Sequence, residues 1–388
     1  MRTFIAILCF FSVFPDASAQ LRPRQIALFT PLYLDSAFAA DQSYKLGTGF
    51  PRYALPGLEF YLGAQFALDS INRIPGRALK VHVFDTRSRN GNIQTVGASP
   101  LMDSIDLIIG AVAGTDYLQL SGLALQKKIP FVSATYPNDG GVKENPYVLI
   151  ANPKLNTHLL ATYNYLLRQL ATFQVWYVRR KNPADDRVAE VFTSLNKGVN
   201  GNQVVRYRTL QMSDTVSADE ILPYLDSTRE NVIIAGSLDE AFGGRLAQAL
   251  LVSAKSVGIT LLGMPTWESI RELNRPEFRT LPIVYSNSFH NKRDGWSVQF
   301  EEEYRKRTYS RPTDMAFKGY ELTWYFSGLL NKYGRDLIKH LDDNAFNLLT
   351  DYDFRPIIWN KETGLPDYYE NKRVYMVRRY MGLSSVVY

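Results

Sequence analysis

The chain has 388 residues, 46% apolar and 21% charged, with a formal net charge of +6 and one cysteine, Cys9. That length exceeds what a single hydrophobic core serves well, so two are expected. The charge is small for the length, and no basic stripe with interleaved aromatics marks a nucleic-acid surface.

Residues 1–20 read MRTFIAILCFFSVFPDASAQ. Arg2 supplies a positive start, 4–14 an apolar stretch, and Ala17-Ser18-Ala19 a small-x-small cleavage signal. The apolar stretch is too short for a stable membrane span. We expect cleavage before Gln20 and export to the periplasm or beyond, with 1–19 as the signal peptide. Cys9 is not placed as a lipid-anchored cysteine would be. It leaves with the signal, so disulfides, thiol nucleophiles and cysteine metal sites are excluded. No later apolar run approaches membrane-spanning length.

The first expected strand is 25–30, followed by a long aromatic-rich segment, 31–57, at its C-terminal end. Segments of this length are usually functional or mobile. Residues 58–74 form an amphipathic helix, with Phe60, Ala64, Ala67, Leu68 and Ile71 on one face, ended by Pro75-Gly76. Strand 79–84 and a helix near 92–104 follow. The run LIIGAVAGTDYLQLSGLALQKKIPFVSATYP, 107–137, reads strand, turn, helix, strand, turn. That is the βαβ unit of a parallel sheet. Both turns sit at C-terminal strand ends, where open α/β sheets bind ligands and helix N-termini face anions. Strand 147–151 closes this series.

A second α/β series starts at about 154: helix 154–171, strand 173–178, helix 184–197, strand 204–209, a helix capped by Ser217 with Glu220, strand 231–235, helix 238–257 and strand 259–262. Strand 283–286 and helices 294–308 and 313–333 return the chain. In the tail, IIW, NKETG and VYMV suggest strands joined by a turn. Two similar series imply two lobes, with crossovers near 150–156, 280–290 and 350–360 as a three-segment hinge. The divisions are 20–153 for the first part of lobe one, 154–282 for lobe two, and 283–388 for the return, hinge segments and C-terminal hairpin.

Several segments, in order and spacing, resemble the type I periplasmic binding proteins of ABC importers, in the branched-chain amino-acid-binding group. They are IALFTPL, GLEFYLGAQFALDSIN, GRALKVHVFDTRSR, DLIIGAVAG, KIPFVSATYP, VIIAGSLDEAFGGRLAQALLVSAKSVGI, RPTDMAFKGYELTWYFSGLL and FRPIIWNKETGLPDYYENKRVYMV. The resemblance implies an α/β fold of two Rossmann-like lobes with parallel sheets, closing on a ligand about the hinge.

Carried over residue by residue, the resemblance places a carboxylate-binding turn at Gly114 and Thr115, where the family has serines. The ordinary alternative is a helix cap. A second ligand turn falls on Ser133, Thr135 and Tyr136, with Tyr136 bulkier than the usual small residue. The acidic partner of a ligand ammonium falls on Glu240, with Asp239 beside it. Ser237-Leu238-Asp239-Glu240 equally reads as a capping box. Arg179-Arg180-Lys181 stands where the family has an acidic residue and then a tyrosine-glycine pair. Arg179 is the candidate for an anionic ligand group, a solvated loop the alternative. Phe289 and His290 fall where the family places an aromatic contact. Asp185-Asp186 and Asp342-Asp343 read as solvated charge.

No nucleophile elbow, zinc-protease helix or phosphate loop is found, and His82, His158, His290 and His340 lack metal spacing. The reading is a non-enzymatic, monomeric solute-binding protein without cofactor or metal. It captures a small polar ligand, an amino acid or analogue favoured, for an ABC permease. The alternatives are a module of a membrane sensor and an envelope protein that kept the fold without transport.

Overall fold

Strand β1 (Arg24–Thr30) is buried from Ile26 onward, as a central parallel strand covered on both faces must be. The computed structural model describes residues 22–47, 49–76, 79–89, 91–198, 201–289 and 293–388. The expected signal peptide and His290 lie outside these. Helix α1 (Leu34–Ala37) is a single turn in the long segment after β1. Helix α2 (Leu55–Asn72) begins with Pro56 in its first turn, where a missing N–H costs nothing. Strand β2 (Leu79–Asp85), helix α3 (Ile93–Gly97), strand β3 (Leu107–Gly110), helix α4 (Gly114–Lys127), strand β4 (Phe131–Ser133) and strand β5 (Val148–Ile150) follow. The helix expected over 92–104 is divided: α3 stops and a 3-10 turn restarts at Pro100.

Helix α5 (Leu155–Tyr165) enters the second lobe and ends in a π-helical turn, Leu166–Leu170. Then come β6 (Gln174–Arg179), α6 (Pro183–Leu195), β7 (Tyr207–Gln211), α7 (Ala218–Ile221), β8 (Asn231–Ala235), α8 (Glu240–Ser253), β9 (Ile259–Leu262) and β10 (Ile283–Asn287). Ser217 sits at the N-cap of α7, but its side chain makes no capping bond, and the helix is one turn long. Helices α9 (Gly295–Thr308) and α10 (Asp314–Tyr333) return to lobe one. Helix α10 lies so close on α2 that a Cβ on Gly63 would stand 1.9 Å from Ala316 O, and one on Gly319 2.1 Å from Phe60 O. The chain ends with β11 (Phe354–Ile357), β12 (Tyr368–Asn371), β13 (Tyr375–Tyr380) and β14 (Leu383–Val386).

Two seven-stranded sheets result, ordered β11-β12-β5-β4-β3-β1-β2 and β14-β13-β10-β9-β8-β6-β7. Apolar clusters cover the faces of the first sheet, and a larger one, including Trp176, Phe192, Phe242 and Trp267, fills lobe two. No described helix is long and apolar enough to cross a membrane.

The chain passes between lobes after β5, after β10, and between β12 and β13. The third passage therefore lies at 372–374, not at 350–360. The strand at 354–357 pairs with Tyr368–Asn371, while VYMV falls largely in β13 and pairs with β10 in the other sheet. The sequence concealed β12 because its buried residues include Glu370 and Asn371. Glu370 explains its own burial. It accepts from Thr157 Oγ1 (2.5 Å), Lys154 N (3.1 Å) and Lys372 Nζ (2.6 Å), tying the first passage to the third.

Candidate functional site

The C-terminal ends of the parallel strands of both lobes carry the turns that the sequence singles out. On lobe one, Ala113 is extended (φ −144°, ψ 169°) and cannot cap α4 with its side chain. The first N–H groups of α4 therefore have no side-chain cap, and the dipole there favours an anion. Gly114 has φ +58° and nothing within 4 Å of a Cβ position, so the backbone is open to approach. Gly114 and Thr115 are exposed. In the same first turn, Asp116 meets Arg87 at 3.0 Å, and burial raises its carboxyl above the ordinary value.

Ser133 is fully buried at the end of β4, and its Oγ has no hydrogen-bond partner. Thr135 is half-buried, and its carbonyl accepts from Asn152 Nδ2 at 3.0 Å. The Tyr136 ring lies against Tyr117, centroids 5.0 Å apart. Tyr136 thus packs within lobe one.

On lobe two, Arg179 ion-pairs with Asp186. Arg180 is the hub: its guanidinium reaches Asp185 (3.1 Å), Asp214 (2.8 Å), Asp239 (2.9 Å) and Ser237 Oγ (3.1 Å), over the Phe242 ring. Hydrogen bonding by Asp185, foremost, raises the Arg180 pKa. Asp185 is therefore a buried internal partner, not solvated charge, whereas Asp186 stays half exposed beside Arg179. The capping-box reading is also displaced. Asp239 is the N-cap of α8, accepting from Phe242 N at 2.8 Å, and Glu240 is the first helical residue. Ser237 donates to Asp185 at 2.9 Å. Glu240 is exposed and lines a separate groove of about 640 Å³ with Arg245, Arg271 and Arg275.

Between the lobes, against the first two passages, lies a cavity of about 360 Å³. Pro137, Asn138 and Asn152 line it from lobe one, and Leu238, Thr266, Asn287 and Ser288 from lobe two. His158 of α5 completes the wall, with Nδ1 at 3.0 Å from Ser286 Oγ. Burial, helped by the Lys318 charge, pushes the His158 pKa down to about 4, so the ring is neutral at neutral pH. None of the eight candidate ligand residues of the sequence reading lines this cavity; Tyr136 directly precedes Pro137. Phe289 is buried against Phe317 (5.8 Å) among Phe66, Phe300 and Tyr304, where it anchors the second passage to lobe one. Asn152, His158, Asn287 and Ser288 were missed. The available signal was position: Asn152 follows β5 and Ser288 follows β10.

No protein-family model matches the sequence, and no curated protein is similar to it. Solved structures are. A branched-chain amino acid ABC transporter protein of Rhodospirillum rubrum superposes with TM-score 0.68 at 14% identity, over 94% of this chain and all of that one (100%). An ABC transporter substrate-binding protein of Desulfitobacterium hafniense in complex with Leu gives 0.55 at 16% identity, over 94% and 100%. A solute-binding protein of an ABC transporter from R. palustris in complex with benzoate gives 0.52 at 14% identity, over 94% and 95%. At such identities the likeness is one of fold: the chain has the two-lobed type I periplasmic binding protein fold.

Proposed function

We propose that the protein is an extracytoplasmic solute-binding protein. It holds a small polar solute, an amino acid or close analogue, between its lobes and delivers it to an ABC-type permease. The observation that carries this reading is the cavity to which both lobes and two of the three interlobe passages contribute, its wall mixing Asn152, His158, Asn287 and Ser288 with Pro153, Leu155 and Leu238. The fold likeness to solute-binding proteins agrees with it.

In this reading the ligand extends beyond the cavity lining onto lobe one, where the open N–H groups of Gly114 and Thr115 and the Thr135 turn receive its carboxylate. Ser133 and Tyr136 support that turn from within lobe one. The ammonium is received by neutral oxygen acceptors, chiefly Asn152 Oδ1, because Asp239 is already engaged by Arg180 and Glu240 lines another groove. Arg179 then serves Asp186 and Phe289 the hinge packing.

The test is a thermal-shift panel of amino acids, aromatic and aliphatic carboxylic acids, and nucleosides, since a solute bound only by the folded state raises the melting temperature. An α-amino acid should give the largest shift. A shift confined to nucleosides, or none at all, would contradict the reading.

A further inference from the structure

We propose that the C-terminal hairpin tip, Tyr380 to Leu383, docks the far end of lobe two onto an anionic lipid surface. This inference does not depend on which solute fills the cleft. In register, β13 runs antiparallel to β10, with Asn287 opposite Tyr375 and Ile283 opposite Arg379. The hairpin tip therefore projects past the N-terminal end of β10, at the opposite end of lobe two from the cleft. Its apolar side chains point outward: Met381 is 64% exposed and Leu383 73%. The turn itself is costly. Met381 has φ +53° and Gly382 +78°, the two-residue hairpin geometry that normally takes Asn or Asp at its first position. Met381 is thus neither the favoured turn residue nor a core residue, which points to a use for its exposed side chain.

Two arginines flank the tip. The Arg279 side chain lies within 3.4 Å of where a Gly382 Cβ would stand, and the Arg378 guanidinium sits 4.9 Å from the Tyr380 ring centre. Neither is held in an ion pair among the described residues. Arg206, Arg229 and Lys255 occupy the same end, in the loops before β7, β8 and β9. The acidic neighbours there are Asp226, Glu230 and Glu277, of which Glu230 already accepts from Thr260 Oγ1 at 3.0 Å. An exposed apolar tip flanked by two arginines, with further cations along the same end of the sheet, suits a deformable, negatively charged interface: headgroups meet the arginines, and Met381 and Leu383 enter the acyl boundary. The cleft stays free, because it opens at the other end of the lobe.

Co-sedimentation of the purified protein with vesicles tests this. Binding is expected to equimolar phosphatidylglycerol and phosphatidylcholine vesicles at low salt, weakening as salt rises, and not to pure phosphatidylcholine vesicles. Arg279→Glu with Arg378→Glu should weaken partitioning more than about tenfold, at roughly one factor of several per charge. Met381→Asn suits the turn better, so it should keep or raise the melting temperature while lowering vesicle binding several-fold. The proposal is overturned if anionic vesicles bind nothing at low salt, or if binding survives both sets of variants. It is equally overturned if Met381→Asn abolishes a dimer of the free protein, seen by sedimentation velocity, without changing vesicle binding; the open β14 edge would then serve self-association.

Discussion

Arg180 is saturated by the protein itself, which decides what it can do. Three carboxylates and a hydroxyl surround it, and Asp185 beneath it is buried. Removing the guanidinium leaves that carboxylate without its counter-charge. Arg180→Ala should therefore destabilise the fold by about 3–5 kcal/mol, read by denaturant unfolding. Arg179→Ala should cost far less, since its partner Asp186 is half exposed. Glu321 offers a test by pH. Burial pushes its pKa up to about 7 from 4.5, against hydrogen bonds from Thr350 and from the Leu349 N–H. The folded state holds this proton more tightly than the unfolded one. The resulting stability is present in full below about pH 4.5 and is lost as pH rises through about 7. Glu321→Gln imitates the protonated group. Its melting temperature relative to the parent should climb between those limits, and a pH-independent difference would refute the assignment. His158 has the opposite sign: its depressed pKa makes stability fall as pH drops from 6.5 towards about 4.

At the scale of elements, the long segment after β1 is held at its root by one buried carboxylate. Asp85 Oδ1 accepts from Leu32 N (2.8 Å), Tyr33 N (3.1 Å) and Arg87 N (2.9 Å), and Oδ2 from Leu34 N (2.8 Å). Asp85→Ala should raise amide exchange over 31–57 well above that of the α2 core, whereas uniform exchange would show the segment held elsewhere. Most elements were legible from periodicity: strands 231–235 and 259–262 match their observed bounds, and the long helices agree within a few residues. The misses have physical causes. Pro100 divides a helix whose apolar pattern continues. In β12, the burial of Glu370 and Asn371 depends on partners far away in sequence, Thr157 and Lys154 for the one and Ala151 and Asp353 for the other, so the strand reads as a loop. The partners of Arg180 could not be foreseen either, because Asp185, Asp214 and Asp239 meet only in the folded lobe. Gly63 and Gly319, by contrast, look like helix-weakening residues and are the contact points of α2 and α10. Gly319→Ala should lower stability by at least 1–3 kcal/mol, roughly the cost of overpacking a close contact, measured by thermal unfolding.

For the whole molecule, two lobes and the first two passages were visible in the order of elements, while the place of the third passage and the cavity were not. It is built from Asn152, His158, Asn287 and Ser288, residues near the passages, where a local pattern says nothing about which side chains converge. The sequence pointed instead to the strand-end turns, and the link between the two is the Asn152 bond to the Thr135 carbonyl. The central claim is that a solute is held by both lobes together. Calorimetric titration of the best solute from the thermal panel into the parent, Thr135→Ala and Asn287→Ala tests it most directly. Each variant should bind more weakly, with Thr135→Ala losing roughly 1.5–3 kcal/mol, the worth of a hydrogen bond to a charged group. Unchanged affinity in both variants would place the solute outside the cleft and contradict the account.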